Sequence, residues 1–306
     1  MHMNTTILAM LLEVSRTVVS MCSAGILLCL VAVWAARTDV AGARGLEKVV
    51  ALSNLCFAVP LAVFGALHLA AAPGLMSMVP SYMPWRLFWA YFFGFALLAA
   101  SLSIATRIQV RWSGLLFGIA MFLFVAMMDI PGSLANPSNR FGWTLALREM
   151  LFGGGGWILA GDAIRGTTGS RLITIGRVII GIAAIFYGVE HFLHPMNVPG
   201  VPLEKLMPEW IPGRLLISYL TGAILVVAGA AILLARKTRM AATYLGSWIV
   251  LVVLLVYGPI LAASLADPGT AVKVEGIDYF FDTLLFAGAI LALAKATPPA
   301  DAAQSS

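Results

Sequence analysis

Nine long apolar runs leave this chain little choice of solvent. Cutting at charge clusters and at proline or glycine breaks places them near residues 12–36, 49–71, 87–106, 112–130, 143–161, 172–193, 215–235, 241–265 and 279–295. A helix of about 20 apolar residues crosses the hydrocarbon of a bilayer, and in lipid each backbone amide must find its partner within its own segment. Only 11% of the 306 residues are charged and 61% are hydrophobic, against roughly 25% charged in a soluble domain. The chain therefore reads as an all-α polytopic transmembrane protein whose first partner is the lipid bilayer. The first run carries Glu13 and Arg16 near its start and has neither a basic n-region nor a clear small-residue cleavage site, so it reads as a retained helix rather than a signal peptide. Cys22, Cys29 and Cys56 all lie inside apolar runs without ligand spacing. They read as small buried hydrophobes, not as a disulfide or a metal site. A modest net charge of +5 suggests no nucleic-acid partner.

Basic residues crowd alternate connections. Arg37, Arg44, Lys48, Arg107, Arg111, Arg165, Arg171, Arg236, Lys237 and Arg239 fall in the odd-numbered ones. The even-numbered ones hold Arg86, Arg140, Lys205, Arg214 and Lys273, and the two longest add Glu204, Glu209, Asp267, Glu275 and Asp278. The positive-inside rule then predicts an external N-terminus and a cytoplasmic C-terminus, with residues 297–306 as a disordered tail.

The chain also repeats itself. GALHL at Gly65–Leu69 answers GVEHF at Gly188–Phe192, so that His68 meets His191 at an offset of 123. After five extra residues in the second loop, Pro80, Pro84, Arg86, Gly94, Arg111, Gly118 and Pro131 meet Pro208, Pro212, Arg214, Gly222, Arg239, Gly246 and Pro259 at 128. Each copy contains four spans, and an even number returns the chain to its starting side, so the copies run parallel. The expected architecture is two tandem parallel-repeat four-helix bundles, 47–165 and 171–296, plus one N-terminal span and its loop, 1–46. Gly176, Gly181, Ala184 and Gly188 form a small-residue stripe, and Gly114 pairs with Gly118; such residues let membrane helices approach closely. The run Gly153–Gly156 fits either backbone packing or a slot for something flat.

The second copy resembles the DoxX family of small integral membrane proteins. The resemblance rests on RVIIGIAAIFYG at Arg177–Gly188, the HF of His191 and Phe192, PEWIPG at Pro208–Gly213, and a following helix with Gly222 and Gly229. It covers 171–296 well and 47–163 in a weaker form. It implies a four-helix membrane unit in a bacterial plasma (inner) membrane. Some members are described as subunits linked to quinol oxidation or thiosulfate:quinone oxidoreduction. A quinone is then the cofactor the resemblance suggests, with other membrane redox subunits as partners. No haem, flavin, nicotinamide or metal motif is present, and the sequence names no catalytic residue and no oligomeric state.

Ionisable residues concentrate near the predicted outer helix ends. Glu190, His191, His194, Arg214 and Asp282 form the candidate site, with His68 and Arg86 as first-copy counterparts. Asp129, Arg148 and Glu149 lie near the same level, while Arg177 sits close to the opposite end of its span. Charge inside a membrane is costly unless paired or turned to protein or water. His191 reads either as a helix-end residue bonded within the bundle or as a near-neutral group that binds a quinone carbonyl or passes a proton. Three function classes stay open: a subunit of a quinone-linked redox system, a non-catalytic scaffold or assembly factor, and a small-molecule or lipid transporter. Broken helices with paired midplane ions would mark the third.

Overall fold

A computed structural model of the protein describes residues 5–298, with side chains from residue 16 onward. The proposed tail lies almost wholly outside the described residues. Among the described residues nine long helices carry the fold: α1 Thr5–Gly42, α2 Ser53–Ala70, α3 Arg86–Thr106, α4 Val110–Ala135, α5 Arg140–Ile164, α6 Gly166–Leu193, α7 Arg214–Leu233, α8 Thr238–Ala266 and α9 Thr270–Ala296. Among the described residues there is no sheet, only an isolated bridge between Asn197 and Leu206. Eight of the nine are long and apolar enough to cross a membrane. The exception is α5, where Arg148, Glu149 and the glycine run dilute the apolar character. Of the nine expected spans, eight thus qualify by length and composition among the described residues, and α5 is packed among its neighbours.

Two boundaries depart from the sequence pattern for physical reasons. The ninth helix begins at Thr270 rather than near 279, because its polar first turns are held by tertiary contacts. Ile277 is buried with Met21 and Val63, and Gly276 lies directly against Ser264. Helices α4 and α8 both run past a proline. Each widens into a π-helical turn, Val125–Asp129 and Val253–Tyr257, immediately before Pro131 and Pro259. A proline inside a helix removes a donor and clashes with the preceding turn, and here the wider turn comes just before it.

Helices α5 and α9 lie at the middle of the packing, each touching three or more of the other long helices. Helix α2 packs on α3, α4 on α5, α5 on α6, α6 on α7, α8 on α9 and α9 on α2, while α5 and α9 also meet each other. Helix α1 lies outside, against α2, α3 and α9. The run Gly153–Gly156 serves packing on several sides at once. A Cβ on Gly153 would strike Phe122, one on Gly154 would press on Ile179, one on Gly155 would meet Ala289 at 2.5 Å, and one on Gly156 would reach the Gly114 carbonyl at 2.9 Å. Without side chains α5 can touch α4, α6 and α9 within one turn.

Local details recur at the offsets seen in the sequence. Left-handed residues Trp85, Arg107 and Gln109 have counterparts in Gly213, Ala235 and Lys237, each 128 positions on, and so do the two π turns. Asn54 donates to the Ile104 carbonyl at 2.9 Å, and Arg177, 123 positions later, donates to the Ile232 carbonyl at 2.6 Å.

Candidate functional site

The ends of α2 and α6 lie on the same side of the bundle as the starts of α5 and α9. Arg140 at the start of α5 pairs with Glu190 near the end of α6. Arg148 and Asp282 join the early parts of α5 and α9, and Lys295 at the far end of α9 reaches Asn54 at the start of α2. His68 and His191 therefore share one end, called here the histidine end.

Below that end lies a charged centre. Arg148 Nη1 donates to Asp282 Oδ2 at 2.5 Å, and Arg148 Nη2 approaches Glu149 Oε1 at 3.4 Å. Asp129, from the last position of the π turn in α4, and Asp278, one turn before Asp282, lie within electrostatic reach of the same guanidinium. At 1.5 Å per residue, Arg148 is about 12 Å and Asp282 about 18 Å into its helix. The sequence pattern placed Asp282 at a helix opening; the earlier start of α9 carries it well inside instead. Asp129 Oδ2, Glu149 Oε2, Asp278 Oδ1 and Arg148 Nε are buried without a hydrogen-bond partner. Among the described residues no three His, Cys, Asp or Glu side chains converge as a metal cage would require.

The second copy closes its own mouth. Residues 197–203 between α6 and α7 are all buried, and the segment works as a plug. The Gly200 amide donates to His191 Nε2 at 3.1 Å. Because Nε2 accepts, the proton of the neutral ring sits on Nδ1, which donates to the Tyr187 carbonyl at 2.6 Å. His191 is 0% exposed, so neither nitrogen is left for a ligand. Thr283 Oγ1 donates to the Val201 carbonyl at 3.2 Å, and Arg140 Nη2 and Asn197 Nδ2 both donate to the Leu203 carbonyl at 2.9 Å. Gly200 has φ +127, and a Cβ there would meet Thr283 at 2.8 Å and the Tyr257 hydroxyl at 3.0 Å. Only glycine fits.

The first copy has no such plug. Its loop is five residues shorter, and from 73 to 85 it stays exposed or half-exposed. His68 keeps the backbone bond of its counterpart, Nδ1 to the Phe64 carbonyl at 2.8 Å, and its ring meets Phe93 edge-on at 5.3 Å. Where the second copy has Tyr257 and Thr283 beneath its plug, the first has Asp129 and Glu149.

The remaining candidates separate. Glu190 binds Arg140 at 2.9 Å and lies 3.7 Å from His194. Arg214 and Arg86 turn back onto their own loops, donating to the carbonyls of Met207 and Val79. Arg177 caps the end of α7 through the carbonyls of Ile232 and Leu233. The plug residues and Arg140 escaped attention because sequence spacing says nothing about a loop folding inward. Tyr187, fully buried between the two ion pairs with its hydroxyl on the Thr144 carbonyl, looked like one more apolar position. No protein-family model, curated protein or solved structure matches this chain.

Proposed function

We propose that the protein is a membrane carrier made of two parallel four-helix repeats, α2–α5 and α6–α9, with α1 applied to one side. The observation that carries this reading is the Arg148–Asp282 pair, set deep between the two central helices. Ionisable groups at that depth are costly and mark substrate or ion paths. Interrupted apolar helices at corresponding places in two repeats point to a transporter's binding centre, and the two π turns with their prolines occupy such places. π turns are themselves frequent at functional sites.

The repeat gives the pair a further meaning. Gly142 faces Ser133 while Gly276, 134 positions on, faces Ser264; Gly154 faces Ile179 while Gly288, also 134 on, faces Cys56. Arg148 and Asp282 are separated by the same 134 positions. They are then equivalent residues meeting across a pseudo-two-fold axis, and opposite charge at that point favours the fused arrangement over a symmetric pair of identical units. The crowding of basic residues in alternate connections supports a histidine end that faces outward from a bacterial inner membrane, and reporter fusions after Lys48 and after Lys205 should give cytoplasmic and external signals.

A carrier must move. With the three cysteines replaced, spin labels on Cys introduced at Pro137 and Leu206 would report the histidine end, and labels at Ile108 and Leu234 the opposite end. All four positions are exposed. The expected outcome is two distance populations at each end, exchanging in opposite senses. A single unchanging distance at both ends would favour the scaffold reading. The DoxX resemblance and its quinone-linked redox role rest on the sequence motifs, and His191, the residue first expected to meet a quinone, has both nitrogens engaged. Stoichiometric quinone in the purified protein would reverse that judgement.

A further inference from the structure

We infer that Glu149 and Asp129 form a proton-binding site in the unplugged first copy, where a proton resident on each carboxyl is exchanged with water at the histidine end. The inference rests on the carrier reading and names its coupling ion. Four carboxylates depend on one guanidinium, that of Arg148: Asp282 and Glu149 by contact, Asp129 and Asp278 within its electrostatic reach. Tyr187 faces the same group from α6. Were all four ionised, three negative charges would stand uncompensated inside the bilayer, a state lipid does not tolerate.

Geometry decides where the protons go. Asp282 takes the short bond from Arg148 and is the ionised partner. Glu149 has only the 3.4 Å contact on Oε1, and its Oε2 is buried with no donor near it. Asp129 Oδ2 and Asp278 Oδ1 are buried in the same condition, and a proton on each of these three acids leaves Arg148 and Asp282 as the one balanced pair; Glu149 and Asp129 are the two that belong to the unplugged copy. A buried carboxylate oxygen without a donor is expensive, whereas a protonated carboxyl is neutral. A bare metal ion is a poor alternative occupant, since no three acidic or histidine side chains among the described residues converge. Both side chains are half-buried rather than sealed, and no plug covers the mouth of their copy. Protonation forms one O–H bond on the carboxylate and consumes one proton carried by water; its release reverses both, and nothing is oxidised or reduced. Asp129 closes the π turn of α4, so a change in its charge acts directly on the interrupted helix.

The test is infrared difference spectroscopy of the protein in lipid nanodiscs, stepped in pH and repeated in deuterated water. Protonated-carboxyl carbonyl bands should be present at neutral pH. Glu149→Gln and Asp129→Asn should each remove one, and Asp282→Asn should remove none. Thermal stability gives an independent readout. Glu149→Gln mimics the protonated side chain and should melt no lower than the wild type, while Asp282→Asn, which leaves Arg148 unpaired, should melt lower. Absence of protonated-carboxyl bands in the wild type, or a Glu149→Gln protein that melts as low as Asp282→Asn, would overturn the inference. Bands assigned to Glu149 and Asp129 in a protein with rigid spin-label distances would sustain the proton site and sink the carrier.

Discussion

The two mouths at the histidine end start from matching histidines and finish differently. In the second, five extra loop residues let 197–203 fold inward, and His191 is spent holding Gly200. In the first, the loop stays outside, His68 keeps only its backbone bond on Nδ1, and acids stand where the second copy has Tyr257 and Thr283. The five-residue difference in loop length thus accompanies the difference between a sealed mouth and an open one. The proposed proton site lies in the open mouth, whereas the sequence pattern pointed to the histidine-rich copy.

The largest effect should come from the centre that both copies share. Arg148→Ala leaves Asp282 buried without its partner, and breaking one side of a buried pair costs about 3–5 kcal/mol. Arg140→Ala, whose side chain is 28% exposed, should cost clearly less. Melting curves in detergent would compare them, and equal losses would mean that the plug and the centre matter alike.

Next comes the plug. Gly200→Ala must adopt a strained backbone and push on Thr283, at a cost of about 1–3 kcal/mol. Lifting the segment should make a cysteine placed at Val201, 0% exposed in the closed mouth, react several-fold faster with a water-soluble maleimide. An unchanged rate would break the distinction between sealed and open mouths.

The histidines should separate in the same direction. His191→Phe orphans the buried Gly200 amide, for about 1–3 kcal/mol. His68→Phe loses one half-buried bond and should cost less, under about 1.5 kcal/mol. Similar melting shifts in both would show that His68 also anchors something. Lys205→Ala should matter least. Its pair with Glu275 at 2.6 Å is exposed, the two side chains being 52% and 42% accessible, and such pairs contribute about 0–1 kcal/mol and less in salt. A larger loss would mean that the plug is held from its surface rather than from His191 and Thr283.

By itself the sequence determined the solvent, the helical class, the approximate spans and the small-residue faces. Each follows from quantities that add along a segment: hydropathy over about 20 residues, the sign of loop charges, and the recurrence of Gly114, Gly118, Gly176 and Gly188 on faces that do pack closely. Tertiary structure alone decided that Arg148 pairs with Asp282 as well as with its neighbour Glu149, that α9 starts nine residues before its apolar run, and that His191 faces a loop amide. Those outcomes depend on how far each helix is rotated about its axis and on whether a loop turns inward. Both are set by contacts with residues distant in the chain, and a change of one position turns a helical side chain by about 100°.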